Sequence, residues 1–278
     1  MIRRLLSLSA PVVIAHRGGS KLRPENTMAA FDHAAALGAH GLECDVHLSR
    51  DGEPVVIHDA TLDRTTDAAG PVDALTADEL ARVDAGYRFG EADGFPYRGK
   101  GIGVPRLSTL LRRHADLPVV VELKGERVDL VAPVLQVIRE AGASERVLFG
   151  GFDLRVLQEA RRLAPEIPTS AARDELKSAL IRSRFRIGPR RSGFVALQVP
   201  YRFRGNRILL APLVRAARRR GFPVHAWIVD EPAEMREILG WGVTGIITDR
   251  PDTALAVVEG LRLEARGVTH VPSPTPQA

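Results

Sequence analysis

Val119-Val-Val-Glu-Leu123, an amphipathic stretch over 127–141, then Val147-Leu-Phe149 read as strand, helix, strand within about thirty residues. The same rhythm runs outward in both directions. Apolar, β-branched runs at 12–15, 42–46, 167–171, 194–198, 224–228 and 245–248 predict strands. Amphipathic stretches at 27–37, 155–163, 174–184, 209–220, 232–239 and 252–262 predict helices between them. Strands separated by helices pair in parallel, and about eight of them in 278 residues predict an α/β fold, a (β/α)8 TIM barrel. One interval breaks the rhythm. The stretch 58–105 offers little beyond a short helix at 76–82, and it gathers Tyr87, Phe89, Phe95 and Tyr97. So long an interval is expected to be either a functional loop or a small insertion after the second strand. The domain is placed at 10–263, and the Pro-rich stretch 264–278 is expected to be disordered.

Composition fits one globular domain. Hydrophobic residues make up 45% of the chain, and mean hydropathy is near zero; this excludes collagen-like, disordered and disulfide-scaffold classes. Basic residues number 39 against 34 acidic, and all but Lys21, Lys100, Lys124 and Lys177 of the basic ones are arginine. That skew reflects codon composition and also suits phosphate anions. Cys44 is the single cysteine, so no intramolecular disulfide forms and no oxidising compartment is implied. The first ten residues superficially resemble a signal peptide, but their apolar run is short and flows into a strand. No stretch approaches the roughly 18 apolar residues of a membrane span. A cytoplasmic location is expected, with at most weak contact to a membrane surface.

In a parallel barrel, chemistry sits where strands end. The first strand ends at His16-Arg17-Gly18-Gly19, and the second carries Glu43, Asp45 and His47 on one face, with Cys44 on the other. The third ends at Glu122-Leu-Lys124, and His58-Asp59 closes the segment that follows the second. Three carboxylates at one mouth repel one another unless a divalent cation binds, and oxygen-only ligation suits Mg²⁺ or Ca²⁺. Two histidines from different loops, His16 and His58, can act as acid and base, while Arg17 and Lys124 suit an anionic group such as phosphate. Each residue alone has a plain structural alternative: hydrogen-bonding for His16, ion pairing for Glu43, Asp45 or Glu122. The conjunction carries the functional reading. His33, His40, His114, His225 and His270 lack such company, Cys44 is read as a small buried hydrophobe, and Asn26 as a helix cap.

These residues also lie in a familiar order. His16-Arg-Gly-Gly19, Pro24-Glu-Asn-Thr27, Gly41-Leu-Glu43-Cys-Asp45, Asp51-Gly-Glu-Pro54, His58-Asp59, Arg64-Thr-Thr66, Glu122-Leu-Lys124, Trp227 and Thr248-Asp249-Arg-Pro251 resemble the signature of glycerophosphodiester phosphodiesterases over about residues 12–260. The resemblance implies a TIM barrel with an insertion after the second strand. It implies a divalent cation, Mg²⁺ or Ca²⁺, held by Glu43, Asp45 and Glu122, with His16 and His58 as the acid–base pair. Arg17 and Lys124 would contact the phosphate, and Trp227 would contact the substrate or line the mouth. The implied reaction cleaves a glycerophosphodiester to glycerol 3-phosphate and an alcohol. Gly151-Phe152 and Trp227-Ile-Val-Asp230 depart from the family's usual Ser-Phe and Trp-Thr-Val followed by Asn or Asp, and touch neither the metal nor the acid–base positions.

Three rivals stand beside this reading. One is a lysophospholipase D-like enzyme on the same barrel, with the Tyr87–Tyr97 aromatics holding an acyl chain; an apolar mouth would favour it. Another is a barrel that binds phosphodiesters without cleaving them, against which stands the presence of every polar site residue. The third, a nucleic-acid or anionic-surface protein, rests on the arginine runs at 182–191 and 215–220. Those runs lack interleaved stacking aromatics beyond Phe185 and read better as solvated helix faces, so no nucleic-acid partner is expected.

Overall fold

The computed structural model describes residues 1–190, 192–203, 206–208 and 210–266. Strands β1 (Val12–Ala15), β2 (Gly41–Leu48), β3 (Pro54–Val56), β4 (Val119–Leu123), β5 (Val147–Gly150), β6 (Leu197–Pro200), β9 (Val224–Trp227) and β10 (Gly245–Thr248) form one sheet. Its order is β5-β4-β2-β1-β10-β9-β6, all parallel, with β3 antiparallel on β2. A two-stranded antiparallel pair, β7 (Arg202–Phe203) and β8 (Asn206–Arg207), stands apart. Helices α1 (Met28–Ala36), α3 (Leu107–Arg113), α4 (Val131–Glu140), α5 (Leu154–Leu163), α6 (Arg173–Arg184), α7 (Ala211–Arg219), α8 (Pro232–Gly240) and α9 (Pro251–Ala265) connect the strands, and α2 (Ala77–Leu80) is a single turn.

The sheet is curled, and the stretch 167–171 lies between its two edges. Thr169 bridges to Phe149 and Ser170 to Ala196, both in parallel, so this predicted strand is present as two single bridges. Alternation along the strands sorts side chains to two sides. Val12, Ile14, Val120, Leu148 and Ile247 point inward, and Leu5 from the N-terminal segment fills the space beneath them. Ala15, Cys44, Val121 and Phe149 point outward against α1, α3, α4 and α5. Val13, Leu197, Val224 and Ile246 do the same against α7, α8 and α9. His225 is fully buried and donates through Nε2 to the Leu5 carbonyl at 2.8 Å, which ties the N-terminal segment to β9.

Several expectations change. Helix α3 was not predicted, although Leu107, Leu110 and Leu111 are its buried face. The short helix expected at 76–82 is α2, closed by a Thr76–Glu79 capping box. Helix α9 runs on to Ala265, past the expected end of the domain, and residues 267–278, including His270, lie outside the described residues. Within 58–105 the apolar side chains, Leu62, Val72, Ala77, Leu80 and Val104 among them, gather in a cluster of their own beneath β3. No helix among the described residues is long and apolar enough to cross a membrane.

Candidate active site

Neighbouring strands β2 and β4 bring the acidic residues together, beside the end of β1. Asp45 pairs in register with Glu122 on the neighbouring strand, and Glu43 lies one inward position below. Each of the three carboxylates offers an oxygen, and these oxygens lie within 4.8 Å of one another. Glu43 is 4% and Asp45 1% exposed. Burial, reinforced by the negative charge of Asp45, pushes the Glu43 carboxyl up to about 8. Burial pushes Asp45 the same way, but the Arg17 guanidinium and the Lys124 ammonium outweigh it and hold that carboxyl below its ordinary range. The donors are therefore oxygen only, partly neutralised by cations and still costly to ionise together. A divalent cation would relieve that cost, and the set fits one with hard-oxygen preference.

The chain after β1 turns sharply. Arg17, Gly18 and Gly19 all have positive φ, 51°, 83° and 93°. A Cβ at Gly18 would lie 2.6 Å from Ala30 Cβ, so only glycine allows this loop to press against α1. The turn aims the Arg17 amide at Glu43, donating to Oε2 at 2.9 Å. The Arg17 side chain donates to Glu25 Oε1 at 2.8 Å, while its Nε lies 3.1 Å from Asp45 Oδ2 without a hydrogen-bond acceptor in line. Lys124 Nζ donates to Glu122 Oε1 at 2.8 Å and lies 3.4 Å from Asp45 Oδ1.

Both histidines are held by a carboxylate. His16 Nδ1 donates to Asp249 Oδ1 at 2.6 Å, leaving Nε2 3.9 Å from Glu43. Burial lowers the His16 pKa, but Glu43 and the Asp249 bond together raise it above the ordinary value. Asp249 is fixed in turn: Asp230 Oδ1 accepts from its backbone N–H at 2.9 Å and from Thr248 Oγ1 at 2.8 Å. His58 Nδ1 donates to Asp59 Oδ1 at 2.6 Å, and Arg64 Nε donates to the other Asp59 oxygen at 2.6 Å. Each imidazole thus keeps Nε2 free for proton transfer.

Every expected site residue, His16, His58, Glu43, Asp45, Glu122, Arg17, Lys124 and Trp227, lines one cavity of about 720 Å³. Trp227 meets Phe152 edge to face, with ring centroids 6.0 Å apart. Beyond the acidic end, Leu176 and Leu180 of α6, Ile208 and Ile228 make an apolar wall.

Two readings need correction. Asn26 is not the helix cap: Thr27 caps α1, and Asn26 Nδ2 donates instead to Asp45 Oδ2 at 2.8 Å. The aromatics of 87–97 do not reach the cavity; Phe89 packs on Tyr97, and the Arg98 guanidinium covers Tyr87 and Phe95. His47, which shares the carboxylate face of β2, donates through Nε2 to the His58 carbonyl at 3.1 Å and steadies that loop. The orienting roles of Asp249 and Asp230 were missed, although Thr248-Asp249 and Asp230 stand at strand ends, where such partners belong.

With this geometry in view, the comparisons decide the lineage. Residues 16–253 match the model of the "Glycerophosphoryl diester phosphodiesterase family". The chain belongs to that family. A glycerophosphodiester phosphodiesterase of Caldanaerobacter subterraneus subsp. tengcongensis is 33% identical over 258 residues, covering 89% of this chain and 97% of that protein. The crystal structure of glycerophosphodiester phosphodiesterase from Agrobacterium tumefaciens superposes with a TM-score of 0.71 at 31% identity, over 88% of this chain and 99% of the other. An Oleispira antarctica phosphodiesterase, solved with its product sn-glycerol-3-phosphate, gives 0.75 at 25% identity, over 90% and 97%. The family and enzyme class expected from the sequence are both met.

Proposed function

We propose that the chain hydrolyses glycerophosphodiesters to glycerol 3-phosphate and an alcohol, with Glu43, Asp45 and Glu122 holding one divalent cation, Mg²⁺ or Ca²⁺. The single observation that carries this is the meeting, in one cavity, of an oxygen-only carboxylate cluster with two histidines, each backed by its own carboxylate. The cation, when bound, would neutralise the phosphodiester and help orient the attacking oxygen. Arg17, with a buried Nε that lacks an aligned acceptor, would bind a phosphate oxygen, and Lys124 would take another. One of His16 and His58 removes the proton from the attacking oxygen through Nε2. The other gives a proton to the departing alkoxide, which is too basic to leave unaided. Asp249 and Asp59 stabilise whichever imidazolium forms, and Trp227 lines the place of the glycerol or alcohol.

The reading extends to the frame. Bridges on both sides of 167–171 support closure of the sheet into a (β/α)8 barrel, with 58–105 as an insertion after β2. A cytoplasmic location accords with one buried, unpaired Cys44. A second substrate, a lysophospholipid, is favoured by the apolar wall of Leu176, Leu180 and Ile208. ³¹P NMR of glycerophosphocholine and lysophosphatidylcholine digests tests both. Glycerol 3-phosphate from the first supports the main reading, and lysophosphatidic acid from the second adds the other. Phosphocholine as the product, or no turnover of either diester with Mg²⁺ or Ca²⁺, would contradict both.

A further inference from the structure

Between Glu175 and Asp230 the sequence has no acidic residue and 13 basic ones, Lys177 and twelve arginines. The other residues hold 26 basic against 34 acidic, so the chain's net positive excess comes from this segment. The structure sets α6 and the turn after it beside α7. Gly188 sits so close to α7 that a Cβ there would lie 2.4 Å from Arg220 Cγ. Pro189 is buried, and Arg219 donates to the Arg186 carbonyl at 3.3 Å. Arg182 closes the turn, its carbonyl accepting from Ile187 N at 3.1 Å and its Nε donating to the Gly188 carbonyl at 3.0 Å.

This anchoring leaves the intervening side chains facing out. Ile181 is 60%, Phe185 72% and Ile187 48% exposed. Ile181 and Phe185, four apart, share one face of the helix end. Among them stand exposed Arg184, Arg186 and Arg190, and on α7 Arg215 and Arg219, none paired with a carboxylate among the described residues. The arginine runs that read as separate solvated faces in the sequence are one surface in the fold.

We propose that this face, α6 with its following turn and α7, docks the protein on an anionic lipid bilayer. Arginines without acidic partners match anionic headgroups, while large apolar side chains interleaved with them enter the boundary between headgroups and acyl chains. A nucleic acid would reward stacking aromatics, and two of the three apolar groups here are isoleucines. The face also continues into the cavity: α6 presents Arg173, Leu176, Lys177 and Leu180 to it and Ile181 and Phe185 to the outside. The proposal does not depend on which diester the cavity cleaves.

The test is co-sedimentation of the full chain with vesicles of phosphatidylcholine, or of phosphatidylcholine with one third phosphatidylglycerol, in about 0.1 M salt. Retention is expected on the anionic vesicles alone. The Phe185→Ser/Ile187→Ser variant is expected to partition about tenfold more weakly with an unchanged thermal melt, because both side chains are exposed. Arg184→Ser/Arg186→Ser is expected to weaken retention as well. No retention on the anionic vesicles would overturn the proposal. So would retention unchanged in the Phe185→Ser/Ile187→Ser variant, which would reduce the contact to diffuse charge, or tighter binding to duplex DNA than to the anionic vesicles.

Discussion

His16 shows how a single residue's chemistry is set by partners far away in sequence. Its ring is oriented by Asp249, 233 residues on, and its charge is favoured by Glu43 on the next strand. Removing the ring by His16→Ala, or His58→Ala, is expected to lower kcat by about 10²- to 10⁴-fold while the circular dichroism spectrum stays unchanged. Asp249→Asn, which leaves the ring but favours the wrong tautomer, is expected to lower kcat with little change in KM. His16, Arg17 and Lys124 were legible because they end predicted strands, Glu43, Asp45 and Glu122 because they are charged positions on one face of such strands, and His58 because His-Asp closes the segment after the second. The pairings His16–Asp249 and Asn26–Asp45 were not, because no local pattern says which loops meet. Asn26 was misjudged for a local reason: it directly precedes the true cap, Thr27, and both residue types favour that position. Glu43 carries a prediction of its own. Binding of Mg²⁺ or Ca²⁺ is expected to raise Tm by several degrees through mass action on the folded state. Glu43→Gln should abolish that rise in a scanning calorimeter.

At the scale of elements, the strands were easiest to read, since inward and outward positions are both apolar below the site. The stretch 167–171 has strand composition yet joins its neighbours through single bridges. Helix α3 escaped because it has only two turns, though its leucines repeat at helical spacing. The loop after β1 depends on Gly18, and Gly18→Ala is expected to destabilise the fold by about 2 kcal/mol or more, read from urea unfolding. Beneath the sheet, burial pushes His225 down to about 4. Below its unfolded value near 6.5 the unfolded chain takes up a proton that folded His225 refuses. Stability from this residue is therefore present at neutral pH and lost as the pH falls from about 6.5 to 4, by about 3 kcal/mol in all. His225→Asn is expected to flatten that part of the profile.

Across the whole molecule, two properties share one frame. Strands β2 and β4 gather acidic groups about a cavity, while α6, the turn after it and α7 present arginines without acidic partners among the described residues. The sequence conveyed the family and the acidic site, because motif residues keep their order along the chain. It hid the merging of two arginine runs and the apolar side of the cavity, which exist only once α6, α7 and the stretch about Ile208 are brought together. The central claim is that carboxylates and histidines act together on a phosphodiester. Its most direct test is glycerol 3-phosphate release from glycerophosphocholine by chelator-stripped protein, titrated with Mg²⁺, Ca²⁺ or Mn²⁺ beside Glu122→Gln and His58→Ala. Saturable recovery with at least one metal, lost in both variants, is the predicted result. Full turnover by the stripped protein, or recovery undiminished in either variant, would contradict the account.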